Sequence, residues 1–457
     1  NMNYVFQVAA SNVEGQGSWS ASSNSGHTSS VPSVPLGVSV VAKSQSSVSL
    51  SWLAAGGNGS VVTDYVVEFS EDGVNWQTFD DGVSANTSVV VTGLSRSVGY
   101  VFRVSAVNAN GMSLPGLALG VRMMAAGSTS DHFCVVKANQ SVWCWGRNEY
   151  GQLGIGASPD FNGGYANGSG VAVQAWSAGK VASVAVGQDF TCSAMVDGTV
   201  QCVGRGDSGQ LGNGGWSNSA SAVTVTDVAT ASNVVTGVNF GCALLADTSV
   251  QCWGNNDYGQ LGNGTNTASN TPVIVKGLRN VTAISAGNHF ACAILVTKTV
   301  RCWGRGLEGQ IGNGGNLHTN VPLSVAGLSN VQNISAGGGH VCALLTDSTV
   351  QCWGYNPYGQ LGDRTTTNQN TPVQVTGIGN AAQIDAGDLS TCATLLTGAV
   401  SCWGLNEFGQ LGNGTRSAST VPVTVSGLTT ATAIAVGSRT ACAMLADNKL
   451  RCWGRGV

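Results

Sequence analysis

Hydrophobic and polar residues alternate along short segments through most of the chain, and turns rich in Gly, Asn and Ser separate these segments. Residues 290–304, for example, read FACAILVTKTVRCWG. A period of two places successive side chains on opposite faces of a strand, and no segment shows the three- to four-residue spacing of an amphipathic helix. The pattern therefore predicts an all-β protein built from antiparallel hairpins.

The pattern itself repeats. Fourteen cysteines form seven pairs with nine residues between partners, and from the second pair onward the pairs recur every 50 residues, after a first step of 58. A small sheet of this size cannot bury both faces alone, whereas four-stranded sheets stacked around an axis can. Residues 123–457 are therefore predicted to form a seven-bladed β-propeller. The pairs are Cys134/Cys144, Cys192/Cys202, Cys242/Cys252, Cys292/Cys302, Cys342/Cys352, Cys392/Cys402 and Cys442/Cys452.

Short motifs accompany each pair. Ala-Gly precedes most pairs, Cys-Trp-Gly contains the second cysteine, and Gly-Gln-Leu-Gly follows it. Together these motifs resemble the regulator of chromosome condensation repeat, and the resemblance implies a propeller fold. Only six Gly-Gln-Leu/Ile-Gly segments accompany the seven pairs. The last blade is therefore expected to lack its outer strand unless an upstream segment, such as Gly116 to Met124, supplies it. A chain that continues beyond this sequence would explain the missing segment equally well.

The N-terminal part carries a second repeat, because residues 4–17 align with residues 100–113 at an offset of 96. Between them, alternating strands with Trp52 and Tyr65 resemble a fibronectin type III domain, which implies an immunoglobulin-like β-sandwich. Residues 31–122 are assigned to this domain, and residues 1–30 to the end of another such domain plus a Ser- and Pro-rich linker. We expect a monomeric part of a larger multidomain chain, with the propeller C-terminal to the sandwich.

The cysteine spacing places the two partners of a pair directly opposite each other across a hairpin with a three-residue loop. Gly198 and Gly398 occupy the third loop position, where a left-handed conformation is needed. Opposed residues bring their Cα atoms to about 4.5–5.5 Å, within disulfide range. We predict seven disulfides, each stabilising by about 2–3 kcal/mol; metal-ligand spacing is absent, and reduced thiols stay an alternative. Disulfides imply a secreted or cell-surface protein.

Composition excludes several functions. Charged residues make up 9% of the chain, the formal net charge is −4, and Lys and Arg form no cluster, so no nucleic-acid partner is expected. No apolar run is long enough for membrane insertion. The five histidines form no Ser-His-Asp arrangement, and the paired carboxylates lie at hairpin turns. We therefore predict no enzyme, no catalytic residues, no metal and no cofactor.

Two tryptophan and histidine patterns predict packing. A Trp follows the second cysteine in every copy except the second, where Val203 replaces it, and this strict position favours packing between blades. His132 and His340 stand where other copies have Phe, which also indicates a core position.

Two segments are candidate ligand sites. An eight-residue insertion in the first complete unit adds Phe161, Tyr165 and Trp176, and insertions in repeat proteins often bind ligands; a loop packed on itself is the alternative. Arg205, Gly206 and Asp207 form a tripeptide that resembles an integrin-binding motif. The residues that recur at the same three positions in other copies of the repeat explain that match equally well.

Two further sets of positions differ between copies and are expected to form rings on one loop face. The first set lies three residues before each first cysteine, and the second lies three residues after each second cysteine. The sets are Asp131, Asp189, Asn239, His289, Gly339, Leu389 and Arg439, and Arg147, Arg205, Asn255, Arg305, Tyr355, Leu405 and Arg455.

These observations predict a non-enzymatic extracellular or cell-surface binding or adhesion protein, whose propeller loops contact a protein or a glycan. The alternative is a secreted inhibitor or regulator of an enzyme, because the family that the repeats resemble includes a propeller that inhibits β-lactamases. A minor alternative, implied by the same resemblance, is a guanine-nucleotide exchange factor-like regulator. An enzyme with a carbohydrate substrate, in which the sandwich modules serve as linkers, is a further alternative.

Overall fold

The computed structural model describes residues 3–4, 11–12, 15–16, 26–27 and 29–455, apart from 36–37, 44–45, 71–75, 95–99, 114–115, 118–123, 128–129, 138–139, 157–167, 177–179 and 446–448. All regular elements in this part of the chain are β-strands. The chain divides into two compact units: residues 1–71 with 76–118, and residues 72–75 with 119–457.

The first unit contains a β-sandwich. Its strands are β1 Asn3–Tyr4, β2 Ser11–Asn12, β3 Gly15–Gln16, β4 Gly26–His27, β5 Ser39–Lys43, β6 Ser47–Ser51, β7 Asp64–Ser70, β8 Gln77–Phe79, β9 Ser88–Thr92, β10 Val101–Asn108, β11 Gly111–Met112 and β12 Gly116–Leu117. One sheet has the order β5-β6-β9, and the other has the order β11-β10-β7-β8, with β12 also paired to β10. Trp52 and Tyr65 meet edge to face in the core between the sheets, with ring centroids 5.4 Å apart. Before the sandwich, β1 pairs with β4 and β2 pairs with β3.

The second unit is a seven-bladed β-propeller with six four-stranded blades and one three-stranded blade. Blade 1 has β13 Met124–Ala126, β14 His132–Val136, β15 Val142–Gly146 and β16 Ser169–Gln174; blade 2 has β17 Val181–Val186, β18 Phe190–Met195, β19 Val200–Gly204 and β20 Ser219–Thr224. Blade 3 has β21 Ala231–Thr236, β22 Phe240–Leu245, β23 Val250–Gly254 and β24 Ser269–Ile274; blade 4 has β25 Val281–Ala286, β26 Phe290–Leu295, β27 Val300–Gly304 and β28 Thr319–Ser324. Blade 5 has β29 Val331–Ala336, β30 His340–Leu345, β31 Val350–Gly354 and β32 Gln369–Gln374; blade 6 has β33 Ala381–Ala386, β34 Ser390–Leu395, β35 Val400–Gly404 and β36 Ser419–Thr424. Blade 7 has β37 Ala431–Val436, β38 Thr440–Leu445 and β39 Leu450–Gly454.

A disulfide joins the second and third strands of every blade. In each blade the two cysteines lie directly opposite each other in the ladder. The bonded pairs are Cys134–Cys144, Cys192–Cys202, Cys242–Cys252, Cys292–Cys302, Cys342–Cys352, Cys392–Cys402 and Cys442–Cys452. No cysteine of the described residues is a free thiol, so the alternative of reduced thiols does not describe this structure.

The distance expected between paired cysteines needs a correction. The Cα atoms of the bonded pairs are 4.0–4.1 Å apart, below the 4.5–5.5 Å expected from strand pairing alone, because the disulfide draws the opposed residues together. Thirteen of the fourteen cysteines are buried; Cys452 is exposed. The disulfides of blades 1 to 6 are therefore part of the core of their blades, whereas the disulfide of blade 7 is exposed at Cys452.

In blades 1 to 6 the hairpin that carries the disulfide has a left-handed residue at its third loop position. This residue has positive φ not only at Gly198 (88°) but also at Thr248 (69°). The hairpin register therefore imposes the left-handed conformation even where the residue type disfavours it.

Tryptophans fill the spaces between blades. In blades 3 to 6 the Trp of the third strand is fully buried. Each indole N–H donates to the carbonyl oxygen of the Gln in the Gly-Gln-Leu/Ile-Gly segment of the preceding blade, as Trp253 does to Gln210 at 2.9 Å. The prediction that these residues pack between blades agrees with this arrangement. The equivalent bonds join Trp303 to Gln260, Trp353 to Gln310, Trp403 to Gln360 and Trp453 to Gln410.

The ring closes by direct packing of blade 1 on blade 7, where Met124 and Phe133 share a hydrophobic cluster with Ala433 and Met444. Upstream residues do not complete blade 7: β12 pairs with β10 of the sandwich, and β13 is the first strand of blade 1. The alternative in which residues 116–124 supply the missing strand is therefore wrong for the described residues. Among the described residues no strand pairs with the outer edge of β39, and Leu450 is 37% exposed.

Candidate binding face

The two sets of variable positions meet at one end of the propeller. In blade 2, Phe190 opens the second strand opposite Gly204, which ends the third strand. The residues just beyond them, Asp189 and Arg205, are joined by a backbone hydrogen bond from Arg205 N to Asp189 O of 2.9 Å. The same bond occurs in all seven blades at 2.9–3.0 Å. We call this end, with the loops that join the third and fourth strands, the loop face.

Arginines of the loop face stack on aromatic rings of the preceding blade. The guanidinium of Arg205 lies 5.5 Å from the ring centroid of Tyr150, and that of Arg305 lies 5.8 Å from Tyr258. Each aromatic residue directly precedes a Gly-Gln-Leu-Gly segment, so the strict repeat positions the ring while the next blade supplies the cation. Such contacts contribute about 0.5–1 kcal/mol at exposed sites and fix the orientation of the guanidinium.

A buried carboxylate organises the loop face at blades 1 and 2. Both Arg147 and Arg205 contact Asp189, at 3.3 and 3.7 Å, and the Asp189 side chain is only 6% exposed. Burial raises the pKa of Asp189 above its usual value, while the two arginines act in the opposite direction. Arg147 also pairs with Glu149. These ion pairs hold the arginines in place.

The structure does not present Arg205, Gly206 and Asp207 as a protruding recognition loop. Arg205 Nε donates to both carboxylate oxygens of Asp207 at 2.9 Å, so the two charged ends of the tripeptide pair with each other. Gly206 is buried, and a Cβ at that position would lie 2.1 Å from the carbonyl oxygen of Ser217. In this structure the charged ends of the tripeptide are therefore paired with each other, and its glycine is packed within the repeat.

The insertion divides between two environments. Phe161 and Tyr165 lie outside the described residues. Trp176 does not join the loop face: its ring packs in the hydrophobic cluster around Leu153 and lies against Gly154. Gly154 occupies the same repeat position as Gly212, and Gly212 lies against Trp253 at the boundary between blades 2 and 3. Trp176 thus fills the space that a third-strand tryptophan fills elsewhere, and its assignment as a ligand-binding residue is corrected to a packing role.

Blade 2 also replaces the missing indole hydrogen bond. Because the side chain of Val203 has no N–H, the carbonyl oxygen of Gln152 lacks the indole donor that its counterparts have. The hydroxyl of Thr191 donates to this oxygen at 2.8 Å. In blade 6 the hydroxyl of Thr391 donates to Gln360 O beside the indole of Trp403, so a threonine at this position does not by itself indicate a missing tryptophan, and sequence analysis missed the arrangement.

His132 and His340 are core residues, as predicted from the Phe in other copies. Both are fully buried, and burial lowers the pKa of each to about 3. His132 Nε2 lies 2.8 Å from the Thr191 hydroxyl, and His340 Nε2 lies 2.8 Å from the Thr391 hydroxyl. These imidazoles are therefore neutral structural groups, not general bases.

The inner rim of the loop face contains a shielded acid. Asp388 is mostly buried, and a Cβ at Gly338 would lie 2.1 Å from its carboxylate oxygen, so glycine makes room for this side chain. Burial raises the pKa of Asp388 to about 6, against the effects of a hydrogen bond from Asn288 and the charge of Arg439. A cavity of about 40 Å³ lies along the first strands and includes Asp385 among its lining residues, which is room for water but not for an organic ligand.

The described part of the chain holds no group of three His, Cys, Asp or Glu side chains placed to bind a metal ion. No helix in that part is long and apolar enough to cross a membrane. A rigid ring whose variable residues gather at one end, rather than in an enclosed pocket, has the form of a propeller with a surface for recognition.

The sequence comparisons identify this propeller. Two profiles described as the Regulator of chromosome condensation (RCC1) repeat together match most of it, and a Fibronectin type III domain matches residues 33–119. The chain belongs to the RCC1 repeat family and carries a fibronectin type III domain at its N-terminal side. The RCC1 matches are to residues 249–294, 300–344, 347–394 and 397–444 for one profile, and to residues 124–152, 231–260, 281–310, 331–360 and 381–410 for the other.

Solved structures share the fold. Human WBSCR16 matches with a TM-score of 0.60 and 20% identity over 82% of this chain and 97% of that one. Yeast RCC1 (Prp20), solved bound to Kap60, matches with a TM-score of 0.60 and 16% identity over 83% of this chain and 88% of that one. At these identities the likeness shows the fold alone.

Curated relatives match a small part of the chain. Neurofascin from Gallus gallus is 40% identical over 73 residues, which is 16% of this chain and 5% of neurofascin. Neuronal cell adhesion molecule from Gallus gallus is 30% identical over 133 residues, which is 28% of this chain and 9% of that protein. The chain thus spans less than a tenth of the length of either relative.

Proposed function

We propose that this chain is a non-enzymatic binding protein of the extracellular space or cell surface, and that the loop face of its propeller contacts a protein partner. The observation that carries the proposal is the contrast within each repeat: cysteines, tryptophans and glycines recur, while the paired positions of the loop face vary from blade to blade. A surface that differs in every blade on an otherwise uniform ring suits recognition of an asymmetric partner.

The chemistry of the loop face favours a protein over a glycan as the partner. Arg and Tyr are the residues most enriched at the energetic centres of protein interfaces, and here arginines are already oriented by aromatic rings and carboxylates. Pre-orientation reduces the entropy lost on binding. Tyr358 occupies the same repeat position as Tyr258, and it is 37% exposed. Neither Arg205 nor Arg305 lies over the ring of Tyr358, since these arginines lie over Tyr150 and Tyr258.

The proposed extracellular or cell-surface location is argued from the cysteines and from the first unit. Seven disulfides are typical of proteins that fold in an oxidising environment. The similarity of part of the chain to neuronal cell adhesion molecule points the same way. Prp20p, whose structure was described together with its binding properties to Gsp1p and histones, supports protein binding by this fold, but not this compartment.

A matched pair of variants tests the proposal. At the boundary of blades 3 and 4, Tyr258→Ser with Arg305→Gln alters the loop face. Val296→Ser with Lys298→Gln makes the same kind of change at the opposite, hairpin end of blade 4. Both variants and the wild-type chain are immobilised and used to capture proteins from conditioned medium and from solubilised cell surfaces.

We expect a specific partner that binds the wild-type chain and the hairpin-end variant, and that is lost with the loop-face variant. Equal loss with both variants would contradict a loop-face interaction. Turnover of the purified partner by the chain would contradict a non-enzymatic role, and capture confined to a nuclear extract under reducing conditions would favour the exchange-factor alternative.

A further inference from the structure

The loop that joins the third and fourth strands of blade 4 exposes two large apolar side chains. Leu307 is 52% exposed and Leu317 is 80% exposed. The loop backbone brings the two residues together. Asn316 Nδ2 donates to Leu307 O at 3.0 Å, and a Cβ at Gly306 would lie 2.0 Å from Leu317 O. Adjacent apolar side chains exposed within a polar surface are typical of an interaction site.

The repeat does not require leucine at either position. Most other blades hold an acid at the first position and a hydroxyl residue at the second, and they form the same loop. The two leucines are therefore a property of blade 4 and not of the fold. The position of Leu307 holds Glu149, Asp207, Asp257, Pro357 and Glu407 in other blades, and that of Leu317 holds Ser217, Thr267, Thr367 and Ser417.

Three rings extend the surface of the leucines towards blade 3. The ring centroid of His318, which follows Leu317, lies 4.9 Å from that of Tyr258. The ring centroid of His289 lies 5.2 Å from that of Tyr258. His318 is exposed, whereas Tyr258 and His289 are half-buried. We call these three residues, together with Leu307 and Leu317, the apolar patch.

The charged groups beside the apolar patch have partners within the chain. Arg305 pairs with Glu308 at 2.6 Å. The other carboxylate oxygen of Glu308 accepts a hydrogen bond from Gln310 at 2.8 Å. Asp257 accepts a hydrogen bond from Asn255 at 3.0 Å. Because these ionic groups are already engaged, charge complementarity favours an uncharged occupant over an acidic or a basic one.

The two imidazoles are neutral. His318 Nδ1 accepts a hydrogen bond from the backbone N–H of Gly306 at 3.1 Å, so the proton of this ring is on Nε2. His289 Nδ1 is buried and has no hydrogen-bond partner among the described residues. Burial lowers the pKa of His289, and the charge of Arg305 acts in the same direction, whereas Asp257 opposes both. The rings therefore add apolar surface and one accessible N–H donor, that of His318.

We propose that the apolar patch receives an uncharged, apolar segment of the protein partner, and that His318 Nε2–H donates to a backbone carbonyl oxygen of that segment. Burial of the two leucines and of the Tyr258 ring would supply most of the binding free energy. The site deepens the proposed function, on which it rests, by naming the chemistry that one part of the loop face recognises.

A capped, uncharged peptide of leucine, phenylalanine and glycine tests the patch independently of any natural partner. Its binding to the full chain is followed through the NMR signals of the histidine ring protons, and a serine and glycine peptide of the same length is the second arm. His289→Asn and His318→Asn assign these signals, since Asn239 and Asn218 occupy the same positions in other blades. Analytical ultracentrifugation of the free chain reports self-association.

The leucines can be replaced by residues that the repeat already uses. Leu307→Asp copies blades 2 and 3, and Leu317→Thr copies blades 3 and 5, so both variants should fold. Ile274→Thr, which copies blades 2 and 6, is the matched control, because Ile274 is 66% exposed but lies outside the patch. Ile274 is five residues, or about 16 Å, from Ser269 at the loop-face end of the same strand.

We expect saturable shifts of the His289 and His318 signals with the apolar peptide but not with the polar peptide. The affinity should fall about tenfold or more in Leu307→Asp and in Leu317→Thr, and it should not change in Ile274→Thr. Absence of binding, equal weakening in the control or equal binding of both peptides would overturn the site. A wild-type dimer that Leu317→Thr dissociates would also overturn it, because the occupant would then be a second copy of the chain.

The capture experiment separates this site from the proposed function. A partner that is lost with Tyr258→Ser and Arg305→Gln, but retained by Leu307→Asp and by Leu317→Thr, would overturn the apolar patch and leave the loop face supported. Peptide binding without capture of any partner would count against the proposed function alone.

Discussion

Replacing the two buried histidines with phenylalanine should remove part of the acid sensitivity of the propeller. The structure defines their protonation state. Thr391 Oγ1 donates to Gln360 O at 3.0 Å, so it must accept from the Nε2–H of His340. The Nδ1 atom of His340 is buried without a partner, so a second proton on the ring would have no acceptor. His132 is arranged in the same way with Thr191 and Gln152.

The sign of the effect follows from the pKa values. In the folded chain burial lowers the pKa of His132 and His340 to about 3, whereas an exposed histidine in the unfolded chain titrates near its ordinary value of 6.5. At a pH above the pKa of the unfolded chain, both histidines are neutral in the folded and in the unfolded state. These two groups then make no contribution to the pH dependence of the free energy of unfolding. Below the pKa of the unfolded chain, the unfolded state binds protons that the folded state does not bind. The free energy of unfolding therefore decreases as the pH falls from about 6.5 towards 3.

The magnitude is large enough to measure. At a pH about 1.5 units below the unfolded pKa, each histidine costs about 2 kcal/mol, so the pair costs about 4 kcal/mol. Phenylalanine should fit, because Phe190, Phe240 and Phe290 occupy the same position in other blades and are fully buried there. The threonine hydroxyls keep their bonds to the Gln carbonyl oxygens in these variants.

The assay is guanidinium unfolding of the wild type, of each single variant and of His132→Phe with His340→Phe, at pH 7.5 and at pH 5. Titrating groups common to all variants, including Asp388, cancel in the comparison. We expect the double variant to gain about 4 kcal/mol relative to the wild type between the two pH values, and each single variant about half of that. A difference that does not change with pH would refute the reasoning.

Three other changes test the packing. Thr248→Gly should stabilise the chain by about 1 kcal/mol in chemical unfolding, because Thr248 adopts the positive φ that Gly198 adopts at the same loop position; a destabilised variant would contradict this. Val203→Trp should destabilise the chain by about 1–3 kcal/mol, since Trp176 already fills the space that the new side chain needs. Adding Trp176→Thr should restore the stability. Additive losses in the double variant would show that the two side chains do not share this space. Under limiting reductant, the disulfide of Cys452 should open first, because Cys452 is exposed whereas the other thirteen cysteines are buried; peptide mapping after alkylation reports the order, and simultaneous opening of all bridges would be inconsistent.

The parts of the fold that follow from local geometry could be predicted from the sequence. A spacing of nine residues between cysteines determines which residues face each other across a hairpin, so the register of Cys242 with Cys252 and the left-handed residue at position 248 both follow. The period of 50 residues then implies seven equivalent blades, because each copy must bury the same faces.

Apart from the packing of the repeat tryptophans, the contacts between blades could not be predicted in this way. Trp176 replaces the tryptophan missing at Val203, and Arg305 stacks on Tyr258, although each pair is separated by 27 and 47 residues, respectively, and belongs to different blades. A repeat shows which positions are equivalent within a blade but not which positions of neighbouring blades meet. For the same reason the convergence of Arg439 and Arg455 on the ring of Phe408 became visible only in three dimensions. The pairing of Arg205 with Asp207 lies within one loop, and it depends on the loop conformation that the repeat pattern does not give.

The most direct test of the loop face as a recognition surface is a hydrogen-exchange footprint of the chain bound to its captured partner. The account predicts that protection on binding concentrates in the loops that join the third and fourth strands and in the turns that carry Asp189, His289 and Arg439. Protection confined to the hairpin turns at the opposite end, around Asp197, Asp247 and Asp347, would contradict it.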